Sequence, residues 1–382
     1  MSAPEGGEDW RANLDAVDAR LLDEYQSGIP VEERPFRAVG ETLGASEQEV
    51  LARIERLRDR GIVRRFGAVL NPPVIGSSTL AALNAPEDRF AEIAEIVNGY
   101  RQVNHNYRRD HDWNVWFVVT AGSRATRDRV LDEIEARTGC AVLRLPMLTD
   151  YYIDLEFPVV NADRFAREST AALPTSGTPG AERARANGAG AEDADRPTEG
   201  TEASADGAGA SATRIAEDAV GGLSALEVDV LLAIQDGLPL TATPYRDVAS
   251  GIDAPGREVL AAIEHLLDDE CIKRIGCVVN HVRTGFDANC MVVWDVPDAE
   301  LDARGTAVGA LPSVTLCYHR PRRPEQDWPY NLFTMIHGRD PDAVAAEIDA
   351  LAAEHLPFPH ERLHSTATLK QTGARYEELV SG

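Results

Sequence analysis

Lysine is almost missing from this chain, whose 382 residues include Lys273 and Lys370 as the only two lysines. The 38 basic side chains are therefore nearly all arginines, and 63 acidic residues give a formal net charge of −25. Net charge bears on solubility rather than fold. Acid-rich, lysine-poor surfaces are typical of proteins from high-salt cytoplasms, so we expect a halophilic protein. We do not expect it to bind DNA, because phosphate binding depends on cationic contacts.

Cysteine is also scarce, and the five cysteines form no C-x-x-C pair. An odd number without that spacing argues against a disulfide framework and against a zinc site of the protein's own. There is no run of about 18 apolar residues, and no basic segment followed by an apolar one begins the chain. Neither a membrane span nor a signal peptide is predicted, so we expect a cytoplasmic protein.

One pattern occurs twice in the chain. Gly28, Pro30, Pro35, Arg65, Gly67 and Asn71 return as Gly237, Pro239, Pro244, Arg274, Gly276 and Asn280, at an offset of 209 residues. Val103–Arg109 returns as Val314–Arg320 at an offset of 211, and Asn114–Phe117 returns as Asn331–Thr334 at an offset of 217. So long a period indicates duplication of a whole module, and it predicts a pseudo-twofold pair inside one polypeptide.

The segment between the copies, residues 161–213, consists mainly of Ala, Gly, Glu, Asp, Thr and Pro. It cannot bury enough apolar surface to offset the entropy of ordering it. We interpret it as a disordered acidic Ala/Gly linker that keeps the copies at high effective concentration.

Each copy is predicted to contain two domains. Residues 14–64 and 223–273 show helical periodicity followed by a β-prone segment, as in a winged helix-turn-helix. Ser46 and Glu49 form a capping-box signature, and Gly61 marks a helix end. Residues 65–160 and 274–376 alternate strands and helices in the βαββαβ order of a ferredoxin-like domain. In the first copy, the β-segments predicted before the first helix are residues 67–70 and 79–83. The predicted fold class is α+β, duplicated in tandem, and the open sheets favour pairing of the copies.

This order of domains resembles the leucine-responsive regulator (Lrp/AsnC) family. Two local strings are more specific. Val103–Arg109 with Asn114–Phe117, and Cys317–Pro321 with Asp327–Gly338, look like the signatures of the two subunits of siroheme decarboxylase. That family has the regulator fold but acts as an enzyme of the alternative haem pathway. The first copy is similar to its A-type subunit and the second to its B-type subunit, fused in one chain.

The resemblance implies a carboxy-lyase that removes CO2 from the C12 and C18 acetates of siroheme and leaves methyl groups. The conjugated macrocycle can accept the electrons, so the protein's share is orientation of the acetates and a general acid. The resemblance implies no separate cofactor, since the iron enters with the substrate.

A binding site for siroheme needs planar cations for its eight carboxylates and flat or apolar walls for its ring. The motif strings and their surroundings provide candidates of both kinds. The predicted substrate-binding residues are Arg108, Arg109, Trp113, Asn114, Trp116, Arg320, Arg322, Arg323, Trp328, Tyr330, Asn331 and His337. The alternative is that the aromatics pack in the sheet and the arginines balance nearby acids.

His105 is the candidate general acid, because its side chain titrates near neutrality and lies in a motif strand. Strand neighbours alternate faces, so His105, Tyr107 and Arg109 are expected to share one face. In the second copy Leu316 replaces the histidine, beside Tyr318, and His319 points the other way. The predicted catalytic residues are His105, Tyr107, Tyr318 and His319. The substrate iron could take His319 or His337 as an axial ligand, and the chain could contain one or two active sites.

Two other classes of function remain open. The helix-turn-helix suggests a transcriptional regulator, but the predicted recognition helices, 46–60 and 253–270, carry many acidic residues where a DNA reader needs cations or amides. The same pocket would also serve a non-catalytic tetrapyrrole sensor or carrier. Pairing of the copies within the chain is expected, and a homodimer is compatible with the fold.

Overall fold

A computed structural model of the protein describes residues 10–153, 159, 223–286, 288–373 and 376. The predicted linker, 161–213, lies outside the described residues. The first copy contains, in order, α1 Ala16–Glu24, α2 Pro35–Leu43, α3 Glu47–Asp59, β1 Val63–Leu70, α4 Pro72–Ile75, β2 Ser77–Leu83, α5 Phe90–Asn98, β3 Val103–Arg109, β4 Val115–Ala121, α6 Arg124–Thr138, β5 Val142–Pro146 and β6 Thr149–Ile153. The second contains α7 Ala225–Ile234, α8 Pro244–Gly251, α9 Gly256–Asp268, β7 Ile272–Val279, β8 Ala288–Trp294, α10 Leu301–Gly309, β9 Val314–His319, β10 Leu332–Gly338, α11 Pro341–Glu354 and β11 His360–Gln371.

Local sequence signals set the ends of the helices in both helix-turn-helix units. Ser46 caps α3 as predicted, since its hydroxyl accepts from the Glu49 amide while Glu49 reaches back to the Ser46 amide. Gly61, with φ at +69°, follows the helix end where a left-handed residue is needed. Pro35 and Pro244 occupy the first turns of α2 and α8, where the missing amide hydrogen costs nothing.

The strands that follow the helices, β1 and β7, pair with each other across the two copies. They form an antiparallel two-stranded ribbon in which Gly67 lies opposite Gly276. The prediction that residues 67–70 begin the ferredoxin-like sheet is wrong, because those residues hydrogen-bond to β7 instead. The predicted domain boundaries at 64/65 and 273/274 fall inside the two ribbon strands.

Glycine at both central ribbon positions permits the copies to approach closely. A Cβ on Gly67 would lie 2.6 Å from the Gly237 Cα, and one on Gly276 would lie 2.5 Å from the Tyr25 carbonyl oxygen. Nearby amides of Leu238 and Ile29 donate to carbonyls of the ribbon, each at 2.8 Å. The repeated glycines of the sequence are therefore contacts between the copies.

The remaining strands form one nine-stranded sheet in the order β5-β2-β4-β3-β11-β8-β10-β9-β6. Within it, β5-β2-β4-β3 and β11-β8-β10-β9 each have the strand order of a ferredoxin-like domain. The predicted α+β tandem duplication is confirmed.

The last strand of each copy ends on the other copy. In β11, His360–His364 pairs with β8 of its own copy, and Ser365–Gln371 pairs with β3 of the first. Correspondingly, β5 pairs with β2, and β6 then pairs with β9 of the second copy. The predicted pairing of the copies is confirmed, and it is reciprocal.

Helices pack on the outer faces of the two half-sheets, and a further apolar cluster joins residues of both copies on the other face. Its buried members are Ala82, Trp116, Leu143, Leu145, Met291, Val293, Trp328, Phe333 and Leu363. The described residues include no helix with the length and apolar character that a membrane crossing requires. The side chains beside this shared cluster form the candidate site.

Candidate active site

Three histidines from different parts of the chain meet beside the shared apolar cluster. His105 lies on β3, His337 lies on β10, and His281 follows the ribbon strand β7. The rings of His281 and His337 are 5.5 Å apart, centre to centre. His281 also lies close enough to His105 to affect its pKa. We call these three residues the histidine cluster, and both copies contribute to it.

His105 is paired with Tyr107 on the same strand face, as predicted. The Tyr107 hydroxyl lies 3.2 Å from His105 Nδ1, and the rings are nearly parallel. Burial raises the pKa of Tyr107, against the opposing effect of Arg109 and Arg64. The phenol is therefore protonated at neutral pH and can exchange a hydrogen bond with the imidazole.

Burial keeps all three histidines neutral at pH 7. It lowers the pKa of His105 and His281 to about 4 and that of His337 to about 3. The positive charge of Arg64 adds to this lowering at His105 and His281, and Arg109 does so at His337. His337 Nδ1 is also 2.8 Å from the Thr315 hydroxyl, which fixes the ring's orientation.

The protein is expected to lose stability as the pH falls from about 6.5 to about 4. Unfolded histidines bind protons below about 6.5, whereas the folded cluster resists them, so acid favours the unfolded state. Each histidine contributes at most about 1.4 kcal/mol per pH unit within that window. Urea unfolding across the window measures the effect.

The matched variants for this measurement are His105→Leu and His265→Leu, since His265 is an exposed helix residue. The first should flatten the fall in the free energy of unfolding, and the second should not. An unchanged slope in His105→Leu would contradict the burial of a neutral imidazole.

Arg109 places a buried cation beside His105 and Tyr107. It is 5% exposed, and its guanidinium carbon lies 5.9 Å from the Tyr107 ring centre and 6.0 Å from that of Trp116. One nitrogen donates to the Leu363 carbonyl, while Nε has no hydrogen-bond partner among the described residues. Burial lowers the Arg109 pKa to about 10, so it remains charged. An incoming carboxylate would relieve this incompletely paired charge.

Arg320 repeats this arrangement in the second copy. It donates to the Leu145 carbonyl, its buried Nε has no partner among the described residues, and its guanidinium carbon is 5.1 Å from the Tyr318 ring centre. Burial lowers the Arg320 pKa to about 10 and raises that of Tyr318. The histidine cluster is beside Arg109, whereas Leu316 takes the place of His105 next to Arg320.

The other three predicted arginines are engaged elsewhere. Arg108 pairs with Glu87 at 2.8 Å and lies over the Phe90 ring. Arg322 binds Asp295 at 2.9 Å and also Asp298. Arg323 Nε donates to the Arg144 carbonyl at 3.1 Å. The contacts of Arg108 and Arg322 fit the alternative in which the arginines balance nearby acids, whereas Arg323 binds a backbone carbonyl.

Asn114 and Asn331 have matching structural roles. The Asn114 amide exchanges hydrogen bonds of 2.9 and 2.8 Å with the backbone of Ala85. Asn331 does the same with Val296, at 3.0 and 2.9 Å. Because each side chain holds the segment that follows β2 or β8, the repeat of the motif is explained without a ligand.

The predicted aromatic walls pack mainly against one another. Trp116 is 5.5 Å from Trp328, which meets Tyr330 edge-on at 5.0 Å. Trp116 Nε1 donates to the Trp113 carbonyl at 2.5 Å. These residues belong to the apolar cluster shared by the two copies, and Trp116 also lies beside Arg109.

His319 lies on the opposite strand face from Tyr318, as the alternation predicts. It lines a shallow cavity of about 480 Å³ with Thr149, Asp298, Leu301, Asp302, Arg322 and Asn331. Burial lowers its pKa. The structure therefore separates His319 from the histidine cluster, whereas it brings His337 into that cluster.

The sequence predictions missed His281, a member of the cluster, and Arg64, whose charge acts on His105 and His281. Arg64 lies on β1 and donates to the Gln371 side chain at 2.6 Å, and Gln371 pairs with His105 across β11 and β3. One signal was available, since Lys273, the counterpart of Arg64 at the 209-residue offset, is one of the chain's two lysines. The sequence repeat did not predict the ribbon between the copies, and that ribbon places Arg64 near the site.

Family models match both parts of each copy. The model described as the siroheme decarboxylase NirDL-like HTH domain matches residues 18–64 and 227–272. The model described as the AsnC-like ligand binding domain matches residues 75–151 and 283–370.

Curated relatives match the whole chain or one copy of it. The siroheme decarboxylase NirDL subunit of Paracoccus denitrificans is 38% identical over 371 residues, which cover 96% of this chain and 99% of that subunit. The siroheme decarboxylase NirD subunit of Pseudomonas aeruginosa is 51% identical over 146 residues, or 38% of this chain and 97% of that subunit. The first relative therefore shares the fused, two-copy organisation.

Solved structures show the same fold. The crystal structure of the siroheme decarboxylase NirDL has a TM-score of 0.65 and 21% identity, with 96% of this chain and 98% of that chain covered. Another, with a TM-score of 0.63 and 21% identity over the same shares, is of the siroheme decarboxylase NirDL in co-complex with an iron-uroporphyrin III analogue.

Proposed function

The chain belongs to the siroheme decarboxylase family, and from that premise we propose that it removes CO2 from the C12 and C18 acetates of siroheme, giving 12,18-didecarboxysiroheme. The observation that carries the proposal is the histidine cluster beside an incompletely paired buried arginine, Arg109. A carboxylate of the substrate would supply a negatively charged acceptor for Arg109 Nε, which has no partner among the described residues. The histidines can supply protons.

Each decarboxylation is redox-neutral. The bond between the acetate methylene and its carboxylate breaks, CO2 leaves, and the electron pair passes into the macrocycle. A proton then adds to the methylene carbon and makes a methyl group. The protein must orient the carboxylate and deliver that proton, and we propose that no cofactor beyond the substrate's own iron takes part.

His105 is the proposed proton donor, with Tyr107 as its hydrogen-bond partner. Its pKa of about 4 leaves it neutral in the unliganded protein at pH 7. Binding a ligand with eight carboxylates raises that pKa, because nearby negative charge favours the imidazolium. Substrate binding therefore favours protonation of His105. Measurement of proton uptake when siroheme binds would detect this change.

Arg109 is the proposed clamp for a substrate carboxylate, since its planar fork matches carboxylate geometry. Of the two histidines proposed as an axial ligand to the substrate iron, His337 lies against His281 and within the influence of the Arg109 charge, and we retain that role for it alone. Anaerobic incubation with siroheme separates this enzyme from a sensor or carrier, which would bind the ligand and leave it unchanged.

The helix-turn-helix units are proposed to serve structure rather than DNA reading. Each arginine of α3 has a carboxylate partner, and Arg53 binds Asp15 and Asp18 at 2.7 and 2.9 Å. Arg56 also binds Asp18, at 2.5 Å. Arg58 pairs with Glu55 at 3.4 Å on the exposed face, and Glu47 and Glu49 lie in the first turn, so carboxylates accompany the cations of this helix.

No sequence-specific DNA complex is expected to form. Fluorescence anisotropy with labelled duplexes, from low to physiological salt, tests this, with a basic helix-turn-helix protein as the positive control. Affinity that falls steeply with salt would indicate phosphate contacts and would support the regulator instead.

A further inference from the structure

The duplication creates a second location equivalent to the histidine cluster, and the strand ladders identify it position by position. His105 pairs with Gln371 across β3 and β11, and Leu316 pairs with Ile153 across β9 and β6. In the same ladders, Tyr107 lies opposite Thr368, and Tyr318 lies opposite Asp150. We call the two locations the histidine end and the leucine end.

Each histidine of the cluster is replaced at the leucine end. Leu316 stands for His105, Pro72 for His281 at the 209-residue offset, and Thr120 for His337 at the 217-residue offset. Thr120 forms a 3.1 Å hydrogen bond with Ser78. The leucine end thus has no imidazole at any of the three positions that define the cluster.

The two ends resemble each other more in their cationic residues than in the histidine positions. Arg320 and Tyr318 match Arg109 and Tyr107, and Lys273 on β7 matches Arg64 on β1. The contacts of the ribbon cations differ, however. Arg64 binds Gln371, which is the ladder partner of His105. The ladder position equivalent to Gln371 is an isoleucine in the sequence, Ile153.

The leucine end also contains a carboxylate that the histidine end lacks at that position. Asp150 lies opposite Tyr318, where the histidine end has Thr368. Burial lowers the pKa of Lys273, and the negative charge of Asp150 opposes that lowering. A carboxylate there partly neutralises the local cations and repels a ligand that carries eight carboxylates.

We propose that the chain has a single siroheme site, at the histidine end, which the ribbon completes with Arg64, and that the leucine end is an inactive remnant of the duplication. This assignment rests on the proposed function. Both acetates are then decarboxylated at one site, so the macrocycle must change its orientation between the two losses of CO2. The helix-turn-helix units contribute to the site through the ribbon that joins them.

Anaerobic titration of the full chain with siroheme, followed by absorbance, tests the proposal together with two matched variants. Arg64→Met and Lys273→Met remove equivalent exposed cations from the two strands of one ribbon. The native chain should bind one siroheme. Arg64→Met should weaken binding about 10-fold or more, as loss of a hydrogen bond to a charged group does, and Lys273→Met should leave it unchanged.

Two sirohemes per chain would overturn the single-site assignment. So would equal weakening in the two variants, or affinities equal to that of the native chain in both. A native chain that binds one siroheme but releases no CO2 would count against the proposed function and leave the site count intact. Failure of the native chain to bind siroheme at all would overturn both.

Discussion

Replacing His105 with alanine is expected to slow the loss of CO2 from siroheme by about 10²- to 10⁴-fold, the usual contribution of a positioned general acid. His105 is the member of the cluster in contact with Tyr107 and on the strand face of Arg109. Because one site serves both acetates in our account, both steps should slow together. Anaerobic single-turnover assays with mass spectrometry of the tetrapyrroles measure this.

The matched control for that variant is Leu316→Ala, which alters the equivalent position at the leucine end and should keep the parental rate. Absorbance spectra should show that His105→Ala still takes up siroheme. Accumulation of singly decarboxylated product alone would mean that His105 protonates only the methylene that reacts second and that another residue protonates the first. A parental rate at both positions would show that His105 is a packing residue, and the acid would have to be sought at His281 or His337.

Replacing Arg109 with alanine is expected to weaken siroheme binding by about 1.5–3 kcal/mol, or roughly 10- to 150-fold, as for other hydrogen bonds to charged groups. Arg109→Lys should recover part of the loss, since an ammonium keeps the charge but not the bidentate fork. Binding is measured by anaerobic absorbance titration, with circular dichroism to confirm the fold.

Arg129→Ala is the control for Arg109, because Arg129 is exposed and pairs with Glu133 on the helix α6. It should bind siroheme as the native chain does. If Arg109→Ala is folded and binds with unchanged affinity, the carboxylate clamp is elsewhere, and Arg64 would be the next candidate.

Much of the fold was predictable because its signals are local. The helix-turn-helix units follow from periodicity, from the Ser46 capping box and from Gly61, each of which acts within a few residues. The duplication follows from repeats at fixed offsets. The strand order within each copy follows from its βαββαβ pattern, which has few topological solutions.

The ribbon and the strand exchange were harder to predict because they join residues far apart in the chain. Val63 pairs with Val279, and Ser365 pairs with Arg109, across the two copies. A β-prone segment after a helix-turn-helix is as compatible with a wing or with a first sheet strand as with a ribbon. The strand with which this segment pairs decides among the three alternatives, and the sequence does not identify that strand.

The candidate site was predictable in part for the same reason. Alternation along β3 correctly placed His105, Tyr107 and Arg109 together, since that is a property of one strand. It could not show that Arg322 binds Asp295, that Asn114 holds Ala85, or that His281 reaches His337. Those outcomes depend on loops and on packing between segments that are distant in the sequence.

The most direct test of the account is anaerobic incubation of the full chain with siroheme, followed by mass spectrometry of the extracted tetrapyrrole. We expect loss of two molecules of CO2 per siroheme, with no added cofactor, and a product whose C12 and C18 substituents are methyl groups. Recovery of unchanged siroheme from a folded chain that has bound it would contradict the account and identify the protein as a tetrapyrrole carrier or sensor.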